Sequence, residues 1–112
     1  MQTVSPSVNV YSHVPAMEAS PNYLYCYATG FYPGDIEISF LLNGRPFLGP
    51  TESSDLVYGQ DWTFRVFKYI SILPHPGEEY ACLVNHSSIA QPKITYWREY
   101  ILLLLLLCHS KD

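Results

Sequence analysis

The sequence predicts an all-β fold, a single antiparallel sandwich of about seven short strands. Three observations predict it. Apolar residues alternate with polar or aromatic ones in short runs. Clusters of Pro, Gly and Asn separate those runs. No stretch repeats its apolar residues at helical spacing. At 112 residues the chain suits one domain. The core of a domain this size is thin enough that a cross-link would matter.

Ser7 to Tyr11 reads as the first strand, with Val8 and Val10 on one face. Pro15 and Pro21 bracket a loop. Tyr23 to Ala28 is the second strand, with Leu24, Cys26 and Ala28 on one face and Tyr23, Tyr25 and Tyr27 on the other. Gly30 to Asp35 is a turn cluster whose Tyr32–Pro33 bond suits the cis form. Ile36 to Leu42 is the third strand, with Ile36, Ile38 and Phe40 facing in, and Asn43-Gly44 is a strong hairpin signal. Arg45 to Gly59 is irregular and predicts one short edge strand near Asp55 to Tyr58. Trp62 to Leu73 is the longest strand, with Phe64, Val66, Ile70 and Ile72 on one parity. Lys68 interrupts that face, which calls for either a bulge or a snorkelling stem. After the Pro74 to Gly77 turn, Glu79 to His86 places Tyr80, Cys82, Val84 and His86 on one face. Lys93 to Trp97 is the last strand.

Composition narrows the function. The net charge is −4 and there is no basic patch to track a phosphate backbone, so nucleic acid is not an expected partner. Ten tyrosines are more rings than a small core absorbs, and some belong at a contact surface. Of the three cysteines, Cys26 and Cys82 lie in predicted strands and Cys108 in the tail. One disulfide with one cysteine left over is the simplest reading, and it implies an oxidising compartment. No C-x-x-C pair occurs and no two of His13, His75, His86 and His109 stand at metal-ligand spacing, so neither a metal nor another cofactor is expected. No phosphate loop or Ser/His/Asp arrangement supports an enzyme. Met1 to Pro6 lacks the apolar stretch of a secretory signal. Either the sequence begins near a mature N-terminus or the gene model is incomplete, and the cysteines decide for secretion.

The string Tyr80-x-Cys82-x-Val84-x-His86, with Cys26 upstream, resembles the signature of the constant-type immunoglobulin set. That resemblance implies a disulfide between Cys26 and Cys82 joining the second and sixth strands across the two sheets, with Tyr80 anchoring the adjacent corner and His86 in a structural role. Such sandwiches often carry a Trp on the third strand, and Phe40 takes that place here. Finer matches resemble the beta-2-microglobulin family, the light chains of class I histocompatibility molecules. They are Val10-Tyr11-Ser12-His13-Val14-Pro15-Ala16, Cys26 to Pro33, Asp35-Ile36-Glu37-Ile38, Ser54-Asp55-Leu56, Asp61-Trp62-Thr63-Phe64, Tyr80 to His86, and Gln91-Pro92-Lys93-Ile94 with Trp97. The resemblance spans residues 7–99, leaving 1–6 as an N-terminal segment and 100–112 as an atypical hydrophobic tail.

What this implies is a secreted light chain that reaches the cell surface through a class I heavy chain. It would dock non-covalently under that chain's peptide-binding platform and against its immunoglobulin domain. The contact residues implied are Tyr11, Ser12, Tyr27, Tyr32, Asp55, Tyr58, Asp61, Trp62 and Phe64. Trp62 is foremost because it stands at the start of its strand, in or beside a loop, where an indole seeks a pocket and an acceptor. Asn85-His86-Ser87 is a glycosylation sequon on an outward parity. Two other readings compete: a truncated histocompatibility heavy-chain or receptor fragment, and a self-associating immunoglobulin domain. Leu102 to Leu107 and Cys108 fall far short of the roughly 20 apolar residues that span a bilayer. They read most simply as an alternative exon or gene-model error, against a membrane-touching or covalently pairing tail.

Overall fold

The computed structural model describes residues 3–98, so the Leu102–Leu107 run, Cys108 and the ends of the proposed domain division lie outside the described residues. Among the described residues, nine strands form two antiparallel sheets: β1 (Ser7–Ser12), β2 (Asn22–Phe31), β3 (Ile36–Leu42), β4 (Arg45–Pro46), β5 (Thr51–Ser53), β6 (Val57–Tyr58), β7 (Phe64–Ile72), β8 (Tyr80–His86) and β9 (Lys93–Tyr96). One sheet runs β1-β2-β7-β5, with β6 also on β7; the other runs β4-β3-β8-β9.

Alternation decides which faces meet. Leu24, Cys26, Ala28 and Phe31 point inward from β2 and Val66, Ile70 and Ile72 from β7. They pack on Ile38 and Phe40 of β3 and Tyr80, Cys82 and Val84 of β8. Cys26 and Cys82 are bonded across this core, with their Cα atoms 6.2 Å apart. Phe40, 2% exposed, sits in register with Cys82, so a phenyl ring fills the place expected for the larger indole. The indole comes from elsewhere. Trp97, just past β9, is 1% exposed and meets Tyr80 edge-on at 6.2 Å, while its backbone N–H donates to the Tyr80 carbonyl.

The expected hairpin is present. Asn43 and Gly44 both have positive φ, 53° and 79°, as a type I′ turn requires, and Leu42 pairs with Arg45 across it. Tyr32–Pro33 is cis. His86, 4% exposed, ties this turn to the end of β8. Its Nδ1 accepts the Ser88 N–H at 3.1 Å, so Nε2 carries the proton and donates to the Pro33 carbonyl at 2.7 Å. Both ring nitrogens are thus committed to holding a turn. Asn22 does similar work at the other end. Its buried side-chain amide donates to the Val14 carbonyl and accepts the Val14 and Tyr23 N–H groups, tying the exposed loop after β1 to the start of β2.

Two expectations change, and one left open is resolved. The single edge strand expected between Arg45 and Gly59 is three pieces, β4, β5 and β6. β5 and β6 both pair with β7 but are separated at Ser54, whose hydroxyl, rather than a carbonyl, accepts the Phe67 N–H at 2.9 Å. The long strand begins at Phe64, two residues later than the expected Trp62, because residues 59–63 close a turn. Finally, Lys68 lies in regular register with Cys26 and Ser53, so no bulge is needed to accommodate its half-buried side chain. The register shift falls instead between Thr29 and Phe31.

Candidate functional site

The outer face of the five-stranded sheet follows from parity. Residues of β2 and β7 that alternate with the core set are Tyr23, Tyr25, Tyr27 on one strand and Phe67, Tyr69 on the other. Register pairs Tyr11 with Tyr25, Tyr25 with Tyr69, and Tyr27 with Phe67. Their rings stack: Tyr11 on Tyr25 at 5.4 Å, Tyr25 on Tyr69 at 5.1 Å, and Tyr27 on Phe67 at 5.9 Å. Offset aromatic pairs of this kind stabilise by about 0.5–1.5 kcal/mol each beyond the area they bury. They also hold the rings in place, so a partner would immobilise little. Partial burial, and then the neighbouring Tyr27 and Tyr25 phenols, raise the Tyr11 pKa, which keeps that hydroxyl protonated as a donor.

A second feature stands at the end of β7. Trp62 is 64% exposed and has φ of 69°, a left-handed conformation costly for a bulky residue. The turn beneath it enforces that conformation. The Gly59 N–H donates to the Thr63 carbonyl at 2.8 Å and the Trp62 N–H donates to the Gly59 carbonyl at 3.1 Å. The Asp61 carboxylate accepts both the Thr63 hydroxyl at 2.7 Å and the Thr63 N–H at 3.2 Å. A Cβ at Gly59 would lie 2.8 Å from the Arg65 guanidinium and 2.9 Å from the Asp61 carboxylate, so both side-chain ends would have to shift to admit another residue. The indole is therefore presented by a preformed loop and left without a core to enter.

The Asp61 pKa is lowered by those Thr63 hydrogen bonds, with a smaller contribution from Arg65, whose Nη2 is 3.9 Å away. A depressed carboxyl pKa sets the sign of the pH effect. The order that Asp61 lends the turn is complete above its ordinary pKa of about 3.9 and is lost as pH falls through its lower folded value. An amide titration should show the Thr63 N–H resonance moving with a midpoint below that of a model Asp, and the shift should vanish in Asp61→Asn. A midpoint at or above the ordinary value would remove the clamp.

The residues expected at a contact surface divide into groups. Tyr11 and Tyr27 lie on the stacked outer face. Tyr27 and Asp55 line a groove of about 290 Å³ with Arg65 and Phe67. Tyr32 and Tyr58 both pack on half-buried Phe64, at 6.1 and 4.8 Å, beside the turn that holds Asp61 and Trp62. Ser12 falls on the inward parity of β1, half-buried, and its hydroxyl donates to the Val14 carbonyl. Tyr80 and His86 are buried, and Asn85 is exposed on β8, opposite Glu37 of β3. Sequence reasoning placed Tyr25 on the outer parity of β2 without naming it as a contact residue, and it missed Phe67 and Tyr69 as members of that face. The available signal was the second parity of β7, whose aromatic residues match those of β2. Among the described residues no group of three or more His, Cys, Asp or Glu side chains could hold a metal ion, and no helix is long and apolar enough to cross a membrane.

Comparison with known proteins agrees with this architecture. Residues 8–89 match the model of the immunoglobulin C1-set domain. Beta-2-microglobulin of Callimico goeldii is 42% identical over 93 residues, covering 83% of this chain and 77% of the relative. Beta-2-microglobulin of Aotus lemurinus is 41% identical with the same coverage. That of Saguinus niger is 41% identical over 92 residues, covering 82% of this chain and 76% of the relative. With the disulfide-bridged sandwich, the buried Tyr80 and the bonded His86 in place, the chain belongs to the beta-2-microglobulin family of immunoglobulin C1-set domains.

Proposed function

We propose that this chain is a non-catalytic light chain that binds and stabilises a class I histocompatibility heavy chain during peptide antigen presentation. It is secreted and held at the cell surface through that partner. The observation that carries the reading is Trp62, an exposed indole locked in a strained turn beside a sheet face of stacked rings. An isolated domain gains nothing from presenting a tryptophan this way, whereas a partner pocket gains a rigid anchor. Asp61 shares the Trp62 turn, Tyr32 and Tyr58 pack on Phe64 next to that turn, and Tyr27, Asp55 and Tyr11 extend the surface farther along the same sheet. Ser12 acts through the backbone of its own loop.

The test is heavy-chain affinity. Trp62→Ala should weaken binding by about 2 kcal/mol, roughly 30-fold in Kd, with unchanged thermal stability of the isolated domain. Unaltered affinity in a folded variant would refute the assignment of Trp62.

Asn85 belongs to the same proposal through its location. It lies on the four-stranded sheet, whereas the rings lie on the other. A glycan there leaves the docking face open. Chain secreted from animal cells should lose mass on glycosidase treatment, Asn85→Gln should not, and both forms should bind the heavy chain equally. Secreted chain of unmodified mass would rule the glycan out.

A further inference from the structure

One groove of the outer sheet is not used by any contact residue considered so far. It holds about 420 Å³ and is lined by Tyr23, Tyr25, Pro50, Glu52, Tyr69 and Ser71. Its geometry comes from register. Tyr25 pairs with Tyr69 across β2 and β7, and Tyr69 pairs with Glu52 across β7 and β5, so two rings and a carboxylate stand in one row across three strands. Tyr25 stacks on Tyr69 at 5.1 Å, while Tyr23 meets Tyr69 edge-on at 5.9 Å and 81°, giving walls at two inclinations. The ring faces carry negative quadrupole potential and Glu52 adds a full negative charge. No lysine or arginine lines the groove, and the chain's net charge of −4 adds to the same sign.

The geometry points to a site for a cationic side chain, an arginine presented by the protein partner that lies on this sheet. A guanidinium suits it better than an ammonium. Its flat face stacks on tyrosine while its edge donates two parallel hydrogen bonds to a carboxylate. Neutral apolar side chains would leave Glu52 uncompensated beneath the partner. This inference rests on the proposed docking role of the outer sheet for the identity of the partner, but not for the chemistry of the groove.

Two measurements on the full chain test it. The first titrates the isolated protein with Nα-acetyl-arginine methylamide, following ring-current shifts of the probe's side-chain protons and of the tyrosine rings. Saturable shifts at Tyr23, Tyr25 and Tyr69 are expected. The affinity should fall about two- to fivefold in Glu52→Gln or Tyr69→Leu, and the neutral citrulline analogue should not bind. The second measures heavy-chain affinity, which Glu52→Gln should weaken by a similar factor, more at low salt than at high. Equal binding of the citrulline analogue, absence of saturable shifts, or unchanged heavy-chain affinity in Glu52→Gln would each overturn the inference. Failure of the unmodified chain to bind any heavy chain would bear on the docking role alone, since the probe titration uses the isolated protein. Glu52 is exposed, so Glu52→Gln should fold normally, which keeps the result readable if Tyr69→Leu does not.

Discussion

Replacing Trp97 with alanine should destabilise the domain by about 3–5 kcal/mol, measured as the shift in a urea-unfolding curve at constant slope. The residue is 1% exposed and is the bulkiest of the fully buried side chains. It lies against Tyr80 of β8, so its removal opens a void in the core rather than at the surface. The neighbours cannot collapse into that void, because β8 is fixed on both sides by β3 and β9. Domains of this kind are stable by only about 5–15 kcal/mol, so the variant should be partly unfolded at body temperature. A loss below about 1 kcal/mol would mean that the void closes.

Removing the cross-link should have an effect of similar size by a different route. Cys26 and Cys82 close a loop of 56 residues. In the chain-entropy model that constraint on the unfolded chain stabilises by about 4 kcal/mol. The double variant Cys26→Ala, Cys82→Ala should show this loss in the same unfolding experiment. Both sulfurs are fully buried, so small alanines also leave a modest packing defect on top of the entropy term. Stability equal to that of the disulfide-bonded chain would show that the two sheets are held by packing alone.

Where local pattern and tertiary contact agree, the sequence was legible. The alternations of β2, β3, β7 and β8 predicted both the strands and their buried faces, and Asn43-Gly44 predicted its turn. The region from Arg45 to Tyr58 was not legible, because strands of two or three residues have no period to read and because Ser54 breaks the edge with a side-chain bond. Trp62 was legible as a loop-side indole, but its positive φ was not, since nothing about a tryptophan signals that conformation. It follows from Gly59, Asp61 and Thr63 acting together. The outer aromatic face was half legible. Tyr23, Tyr25 and Tyr27 share a parity that is visible in the chain, but joining them to Phe67, Tyr69 and Glu52 requires the inter-strand register. Trp97 reads as the end of a strand, and only the contact with Tyr80 places it in the core.

The interruption at Ser54 has a consequence for how molecules meet one another sideways. β5 and β6 offer three and two residues, both exposed, with no continuous ladder between them. An extended segment from a neighbouring molecule would find only a few backbone groups in step before the spacing failed. That margin is a poor template for edge-to-edge association.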